Sequence, residues 1–224
     1  MPRLFVAIEL SDTVRQDIAA DQKRIVAALG NAVSGARSGD LRCVPPDHMH
    51  VTLAFIGEVP ETPAAAIMEA WAEPLPAAAF ALSFGAAGVF PARGAPRVLW
   101  LGITSGAESV GVVQRLVAAR LEAIGIALEK KPFHPHVTLA RWHRGSRTGR
   151  MARGSRGTAE NPESPGALRR APDVRRTIAG QRGGPIAGLA VGEVTLFQSR
   201  LSSSGSAYTP LARAPLGAPR PPLQ

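Results

Sequence analysis

A seven-residue sequence occurs twice in this chain of 224 residues, as HMHVTLA at residues 48–54 and as HPHVTLA at residues 134–140. The copies differ at a single position and hold four of the five histidines of the chain. Chance does not account for such a repeat in a chain with so few histidines. The repeat therefore predicts two related halves whose copies of the motif face each other.

Each copy has the residue pattern of a β-strand with one buried face. Side chains alternate between the two faces of a strand, so His50 and Thr52 are expected on the same face. The second copy repeats this arrangement with His136 and Thr138. Two such strands packed side by side would surround one cavity with two imidazoles and two hydroxyls.

The other motif positions are expected to support that cavity. Ala54 and Ala140 follow on the face of the histidines, where a small side chain leaves room for a ligand. The residues expected on the opposite face, in a core, are Val51, Leu53, Phe55, Val137 and Leu139.

Two histidines and two threonines around one cavity suit the hydrolysis of a phosphodiester without a metal. A neutral imidazole accepts a proton from water or a ribose hydroxyl, and a protonated one donates a proton to the leaving oxygen. Histidine serves both tasks because its ordinary pKa of ~6.5 lies near working pH. The threonine hydroxyls can donate to the non-bridging oxygens, where negative charge builds up. A single His-x-Thr would carry no such meaning.

The remaining patterns predict one α+β domain over residues 1–212, with mostly antiparallel sheets flanked by helices. The order strand, helix, motif strand and helix recurs, which indicates two pseudo-symmetric lobes over about residues 1–90 and 91–212. Residues 31–47 are expected to form a loop, Gly30 to end the first helix, and residues 213–224 to be disordered. The predicted strands are 4–10, 49–56, 80–90, 96–103, 135–141, 189–201 and 207–211, and the predicted helices are 14–29, 62–73 and 109–124.

The formal net charge of +9 is concentrated in one segment. Ten arginines and only three acidic residues lie between Arg144 and Arg182. Because residues 144–186 are rich in Gly, Ser and Pro and lack apolar periodicity, they predict a long, mobile basic loop. Two interpretations stay open for this loop, namely electrostatic capture of RNA phosphates and a poorly ordered insertion.

Several protein classes are disfavoured by composition. No stretch approaches the ~18 apolar residues of a membrane span, and the start MPRLFVAIEL is too weakly apolar for a signal peptide. The single Cys43 cannot form an intrachain disulfide, which predicts a cytoplasmic protein. No GxxxxGK[ST] loop or Rossmann-type glycine fingerprint is present, so no cofactor is expected.

Longer stretches around the motifs carry a resemblance to a known family. They are RLFVAIEL, VPPDHMHVTLAFIGEVP, PRVLWLGI, KPFHPHVTLAR and VTLFQSRLSSSGSAYTPL. On these residues the chain resembles the two-histidine (2H) phosphoesterases, and among them the bacterial RNA 2′,3′-cyclic phosphodiesterases, also called 2′-5′ RNA ligases. The resemblance extends from about residue 3 to residue 211. The chain departs from it at Cys43, where relatives often have an aromatic residue, and in its longer basic loop.

The resemblance implies a fold of two lobes around a central cleft and a metal-independent reaction. RNA ending in a 2′,3′-cyclic phosphate would be hydrolysed to a 2′-phosphomonoester, and attack by a 5′-hydroxyl would run the reaction backwards as a ligation. It implies that His50 is the proton donor and His136 the proton acceptor, with Thr52 and Thr138 completing the motifs. We expect a monomer that acts on RNA and does not associate with membranes.

Four further residues are candidate substrate contacts. Arg141 could clamp a phosphate, although strict alternation places it on the face away from the motif histidine. Phe133 and Tyr208 could stack on a base, whereas Trp100 is expected to pack in the core or at its rim. His134 is expected at the rim of the site. The cations that flank the motifs are interpreted first as solvated surface charge: Arg42, Lys130 and Lys131.

Three alternatives stay open. The paired His-x-His could bind a metal through His48 and His134, although Pro135 disfavours a regular strand there and a nearby carboxylate occurs in one copy only. The chain could act on a small cyclic nucleotide, a 2′-5′ oligonucleotide or a cyclic ADP-ribose phosphate. It could also be an RNA-binding module without turnover.

Overall fold

The structure of the protein is a computed structural model that describes residues 3–32, 41–129, 131–142, 174–181, 186–202 and 205–217. The strands in these ranges are β1 (Arg3–Glu9), β2 (Leu41–Cys43), β3 (His50–Glu58), β4 (Phe80–Phe90), β5 (Val98–Ser105), β6 (His136–Trp142), β7 (Ile186–Val191), β8 (Glu193–Ser202) and β9 (Gly205–Pro215). The helices are α1 (Asp12–Ala32), α2 (Glu61–Ala70) and α3 (Ala107–Ala123), with a 3-10 turn over Pro46–His48.

These strands form one antiparallel sheet in the order β7-β4-β5-β6-β3-β1-β8-β9, and β2 pairs with β6 beside this path. The order is symmetric about the junction of β6 and β3. Each motif strand has on its outer side the strand that begins its own half, β1 beside β3 and β5 beside β6. The predicted α+β class with antiparallel pairing is confirmed, and the two motif strands are neighbours at the centre.

The spatial halves of the sheet do not follow the predicted division near residue 90. Strand β4 lies with β5 and β6, while β8 and β9 lie with β1 and β3. Each sequence half therefore places outer strands in the other half of the sheet: β4 comes from the first sequence half, and β8 and β9 come from the second. Hydrophobic periodicity predicts which segments are strands, but the partner of each strand depends on which sheet edge is free.

One core joins the helices to the sheet. The apolar stripe of α1 includes Ile18 and Ile25, and that of α3 includes Val113 and Val117, all at most 1% exposed. Gln22 of α1 is buried, and its Nε2 donates to the carbonyl oxygens of Val44 at 2.9 Å and Leu139 at 2.6 Å. Because Nε2 has two acceptors, its hydrogen bonds offset the cost of burying this amide and tie α1 to the second motif.

Three predicted boundaries were wrong. Helix α1 continues past Gly30 to Ala32, and the predicted loop 31–47 contains strand β2. The predicted strand 189–201 is two strands, β7 and β8, separated at Gly192.

The segments that were predicted to lack structure are partly folded. Within the predicted basic loop, residues 174–180 are helical, and Val174 and Ile178 are buried in the core. In the predicted tail, β9 extends to Pro215 and Ala214 is fully buried. The rest of both predictions, residues 144–173, 182–185 and 218–224, lies outside the described residues. No helix of the described chain has the length and apolarity needed to cross a membrane.

Candidate active site

The motif strands meet at a single backbone pair, Val51 with Val137. Extending this antiparallel register by one residue in each direction places His50 opposite Thr138, and Thr52 opposite His136. All four side chains are half-buried and line one open cleft. Each histidine is therefore matched with the threonine of the other motif, and both halves contribute to both pairs.

A β-bulge in each motif strand changes which residues face the cleft. Leu53 is the extra residue in β3 opposite β1, and Leu139 is the extra residue in β6 opposite β5. The bulge reverses the alternation beyond it. Consequently Phe55 and Arg141, two positions after the bulges, are both exposed and both line the cleft.

The bulges overturn two sequence predictions. Phe55 was predicted to lie in the core, but its side chain is 69% exposed. Ala140 was predicted to share the open face of His136, but it is fully buried. Ala54, its equivalent, is nearly buried and borders the cleft. Phe55 is thus a cleft residue that strict alternation misses. It follows the first copy of the repeat as Arg141 follows the second, and this equivalence to a candidate substrate contact could have identified it.

Both motif imidazoles are oriented by the same backbone contact. Nδ1 of His50 donates to the carbonyl oxygen of His48 at 2.8 Å, and Nδ1 of His136 donates to the carbonyl oxygen of His134 at 2.7 Å. A carbonyl only accepts, so each Nδ1 carries the hydrogen and each Nε2 is left for chemistry. His48 and His134 thus provide this contact through their backbone carbonyls.

Aromatic rings surround His50. The centroid of Phe5 lies 5.0 Å from that of His50, and the ring of Tyr208 stands edge-on to it at 5.5 Å. Tyr208 also lies 4.9 Å from the ring of His48. These contacts place Tyr208, a predicted substrate contact, directly beside His50.

His136 has an equivalent aromatic environment from the other half. Phe90 stands edge-on to His136 with centroids 5.1 Å apart, and Trp100 lies 6.4 Å away. His134 is exposed at the rim of the cleft, with its ring 4.7 Å from that of Trp100. Phe133 is half-buried, where it borders the cleft and packs against the core.

Burial favours the neutral form of both imidazoles. The pKa of His50 is lowered to about 4, mainly by burial; the carbonyl of His48 acts against this, and the positive charge of Arg141 acts in the same direction as burial. Burial also lowers the pKa of His136, with the charges of His134 and Arg141 acting in the same direction. A bound phosphate anion would oppose these effects by favouring the protonated imidazole.

The described part of the chain contains no group of three or more His, Cys, Asp or Glu side chains arranged to hold a metal ion.

The cations that flank the motifs lie at the surface or outside the described residues. Lys131 forms an exposed pair with Glu129 at 2.6 Å, Arg42 is exposed on β2, and Lys130 lies outside the described residues.

Replacing Gly88 with Ala is expected to disturb the His136 side of the cleft. A Cβ on Gly88 would collide with the indole ring of Trp100, which contacts the ring of His134. We expect Gly88→Ala to lower the free energy of unfolding by about 1–3 kcal/mol and to lower kcat/KM, because the indole must move. Urea unfolding and turnover measure the two effects. Gly188→Ala on β7 is the matched control, since a Cβ there meets nothing within 4 Å, and equal stability of the two variants would contradict the prediction.

Comparison with known proteins gives one consistent result. The family model of the 2′-5′ RNA ligase superfamily matches residues 13–152. The chain is 34% identical to an RNA 2′,3′-cyclic phosphodiesterase of Archaeoglobus fulgidus over 62% of this chain and 72% of that protein. It is 28% identical to one of Geobacillus stearothermophilus over 96% of this chain and 58% of that protein.

A solved structure shares the fold. The crystal structure of Escherichia coli LigT in apo form superposes with a TM-score of 0.61 at 24% identity, covering 96% of this chain and 98% of that one. At this identity the likeness supports the architecture alone. The family model, which covers more than half of the chain, shows the family: the chain belongs to the 2′-5′ RNA ligase superfamily.

Proposed function

We propose that the protein hydrolyses 2′,3′-cyclic phosphate ends of RNA to 2′-phosphomonoesters by acid–base catalysis between two histidines, without a metal. The observation that carries this proposal is the pairing of two imidazoles, each with Nδ1 bonded to a backbone carbonyl and each opposite a threonine, in one cleft. The names of the relatives, RNA 2′,3′-cyclic phosphodiesterases, support the same substrate.

The proposed reaction uses one Nε2 as the base and the other as the acid. Nε2 of His136 accepts a proton from the water whose oxygen bonds to phosphorus. As the bond from phosphorus to the 3′ oxygen breaks, Nε2 of His50 donates its proton to that oxygen. The hydroxyls of Thr52 and Thr138 donate to the non-bridging oxygens, and Arg141 provides positive charge. A 5′-hydroxyl in place of the water gives a ligation by the same transfers: its oxygen bonds to phosphorus as His136 accepts its proton, the bond to the 3′ oxygen breaks as His50 protonates that oxygen, and a 2′-5′ linkage results.

Two further features belong to this proposal. The cysteine, Cys43, is free and exposed, as is usual in a reducing compartment, and we assign the protein to the cytoplasm. We take the active form to be a monomer, because both histidines come from one chain and meet at the junction of β3 and β6.

The pH dependence of turnover tests the proposal. Both histidine pKa values are lowered in the free protein. The form in which one histidine of the pair is protonated and the other is neutral therefore exists mainly below pH ~6.5. We expect a bell-shaped profile of kcat/KM with its maximum on the acid side of pH ~6.5. The measurement is hydrolysis of a cyclic mononucleotide from pH 4 to 9 in excess EDTA, with the 2′-phosphate product identified by NMR. A rate that rises steadily to pH 9 would contradict paired histidine catalysis.

A further inference from the structure

Strand β2 brings a second arginine beside Arg141. β2 pairs antiparallel with the end of β6, and Arg42 is directly opposite Arg141 in this register. Residues directly opposite in an antiparallel pair share a face of the sheet, with their Cβ atoms about 5 Å apart. Both arginines are exposed. Two arginine side chains therefore project from the same face of the sheet on neighbouring strands, and Arg141 lines the cleft.

Nothing in the described parts of the chain neutralises this pair. The ion pairs found there involve other cations, and neither Arg42 nor Arg141 donates to a carboxylate. Like charges directly opposite in a sheet are destabilising. An anion bound between them removes this repulsion, and the planar guanidinium is suited to phosphate oxygens.

The two arginines differ in their position relative to the histidines. Arg141 is on β6 with His136 and lines the cleft with both histidines, whereas Arg42 is on the next strand, β2. Arg42 therefore lies beyond Arg141 as seen from the reacting phosphate. Among the other charged residues that line the cleft, Lys131 is paired with Glu129. An anionic chain that extends from Arg141 across the edge of β6 therefore meets Arg42 as the next cation.

We propose that Arg42 binds the phosphate that precedes the terminal nucleotide, while Arg141 contacts the reacting phosphate. This inference rests on the proposed function and assigns its substrate class. A cyclic mononucleotide has no such preceding phosphate and cannot use Arg42. The enzyme therefore selects RNA chains over cyclic mononucleotides.

The test compares two substrates that differ by this phosphate. The substrates are a mononucleotide and a dinucleotide, each ending in a 2′,3′-cyclic phosphate, and the latter has one internal phosphodiester. We expect Arg42→Gln to lower kcat/KM about tenfold for the dinucleotide, the effect of losing one charged hydrogen bond, and to leave the mononucleotide unchanged. Arg115→Gln, which removes the same charge from the exposed face of α3, is the control and is expected to change neither value.

A binding measurement keeps the two proposals separable. Fluorescence titration with a dinucleotide ending in a 2′-phosphate gives the affinity without turnover. The slope of log affinity against log salt should be shallower by about 0.7 in Arg42→Gln than in the wild type, as for one phosphate contact on a single strand. Equal losses on both substrates, or an unchanged salt slope, would overturn the role of Arg42. If the wild type binds but hydrolyses neither substrate, the proposed function fails, while the salt slope still decides the role of Arg42.

Discussion

Replacing His136 with Ala lowers kcat/KM for a cyclic mononucleotide by about 10²- to 10⁴-fold, the range in which a general acid or base contributes to catalysis. The same loss is expected for His50→Ala, because each proton transfer needs its own Nε2. The measurement is turnover in excess EDTA. His48→Ala and His134→Ala are the matched controls. Each removes an imidazole from the same motif but keeps the backbone carbonyl that orients the neighbouring ring. Their losses should stay within about tenfold.

The leaving group separates the two roles. A nitrophenolate departs without protonation, so bis(4-nitrophenyl) phosphate needs the base but not the acid. With His50 as the donor, His50→Ala should lose far less activity on this ester than on the cyclic phosphate. His136→Ala should lose as much on both substrates. If His136→Ala instead lost far less activity on this ester, His136 would be the proton donor and His50 the acceptor. Equal losses in all four histidine variants, with activity returning when a metal is restored, would instead indicate a metal site.

We expect the free energy of unfolding to fall by about 3 kcal/mol as the pH is lowered from 7 to 4, because the partly buried His50 is favoured in its neutral form. Its pKa in the folded protein is about 4, below the ~6.5 of an unfolded chain. Between these values the unfolded chain binds more protons than the folded one. The contribution is therefore present above pH ~6.5 and is lost as the pH falls toward 4. The lowered pKa of His136 acts in the same direction.

Urea unfolding at a series of pH values measures this dependence. His50→Gln has no group that titrates in this range, so its stability should change much less between pH 7 and 4. A mononucleotide 2′-phosphate should also flatten the dependence in the wild type, since an anion raises the pKa of both imidazoles. Identical slopes for the wild type and His50→Gln would show that other groups cause the acid sensitivity.

The repeat in the sequence was sufficient to predict that the motifs meet and that both histidines and both threonines share one cleft. It was not sufficient to predict the bulges at Leu53 and Leu139. A bulge depends on the partner strand, because it exists only where two residues oppose one. Phe55 consequently had the pattern of a core residue, although it is exposed.

Two other features of the site depend on tertiary structure. The exchange of β4 with β8 and β9 is a matter of pairing between strands that are distant in the sequence, which no local pattern contains. The bonds from Nδ1 to the carbonyls of His48 and His134 need the backbone just before each motif strand to bring a carbonyl beside the ring. The sequence shows which residues are present there but not which atom of each is used.

The equivalent positions after the two bulges carry different residues, Phe55 in one half and Arg141 in the other. A site with two identical halves would accept a ligand in either of two orientations related by its own symmetry axis, and each histidine would serve as acid in one and as base in the other. A ring at one end and a cation at the other remove that ambiguity. In the proposed reaction we therefore expect the nucleotide to bind with a single polarity, so that the division of roles between two nearly identical histidines follows from residues that take no part in proton transfer.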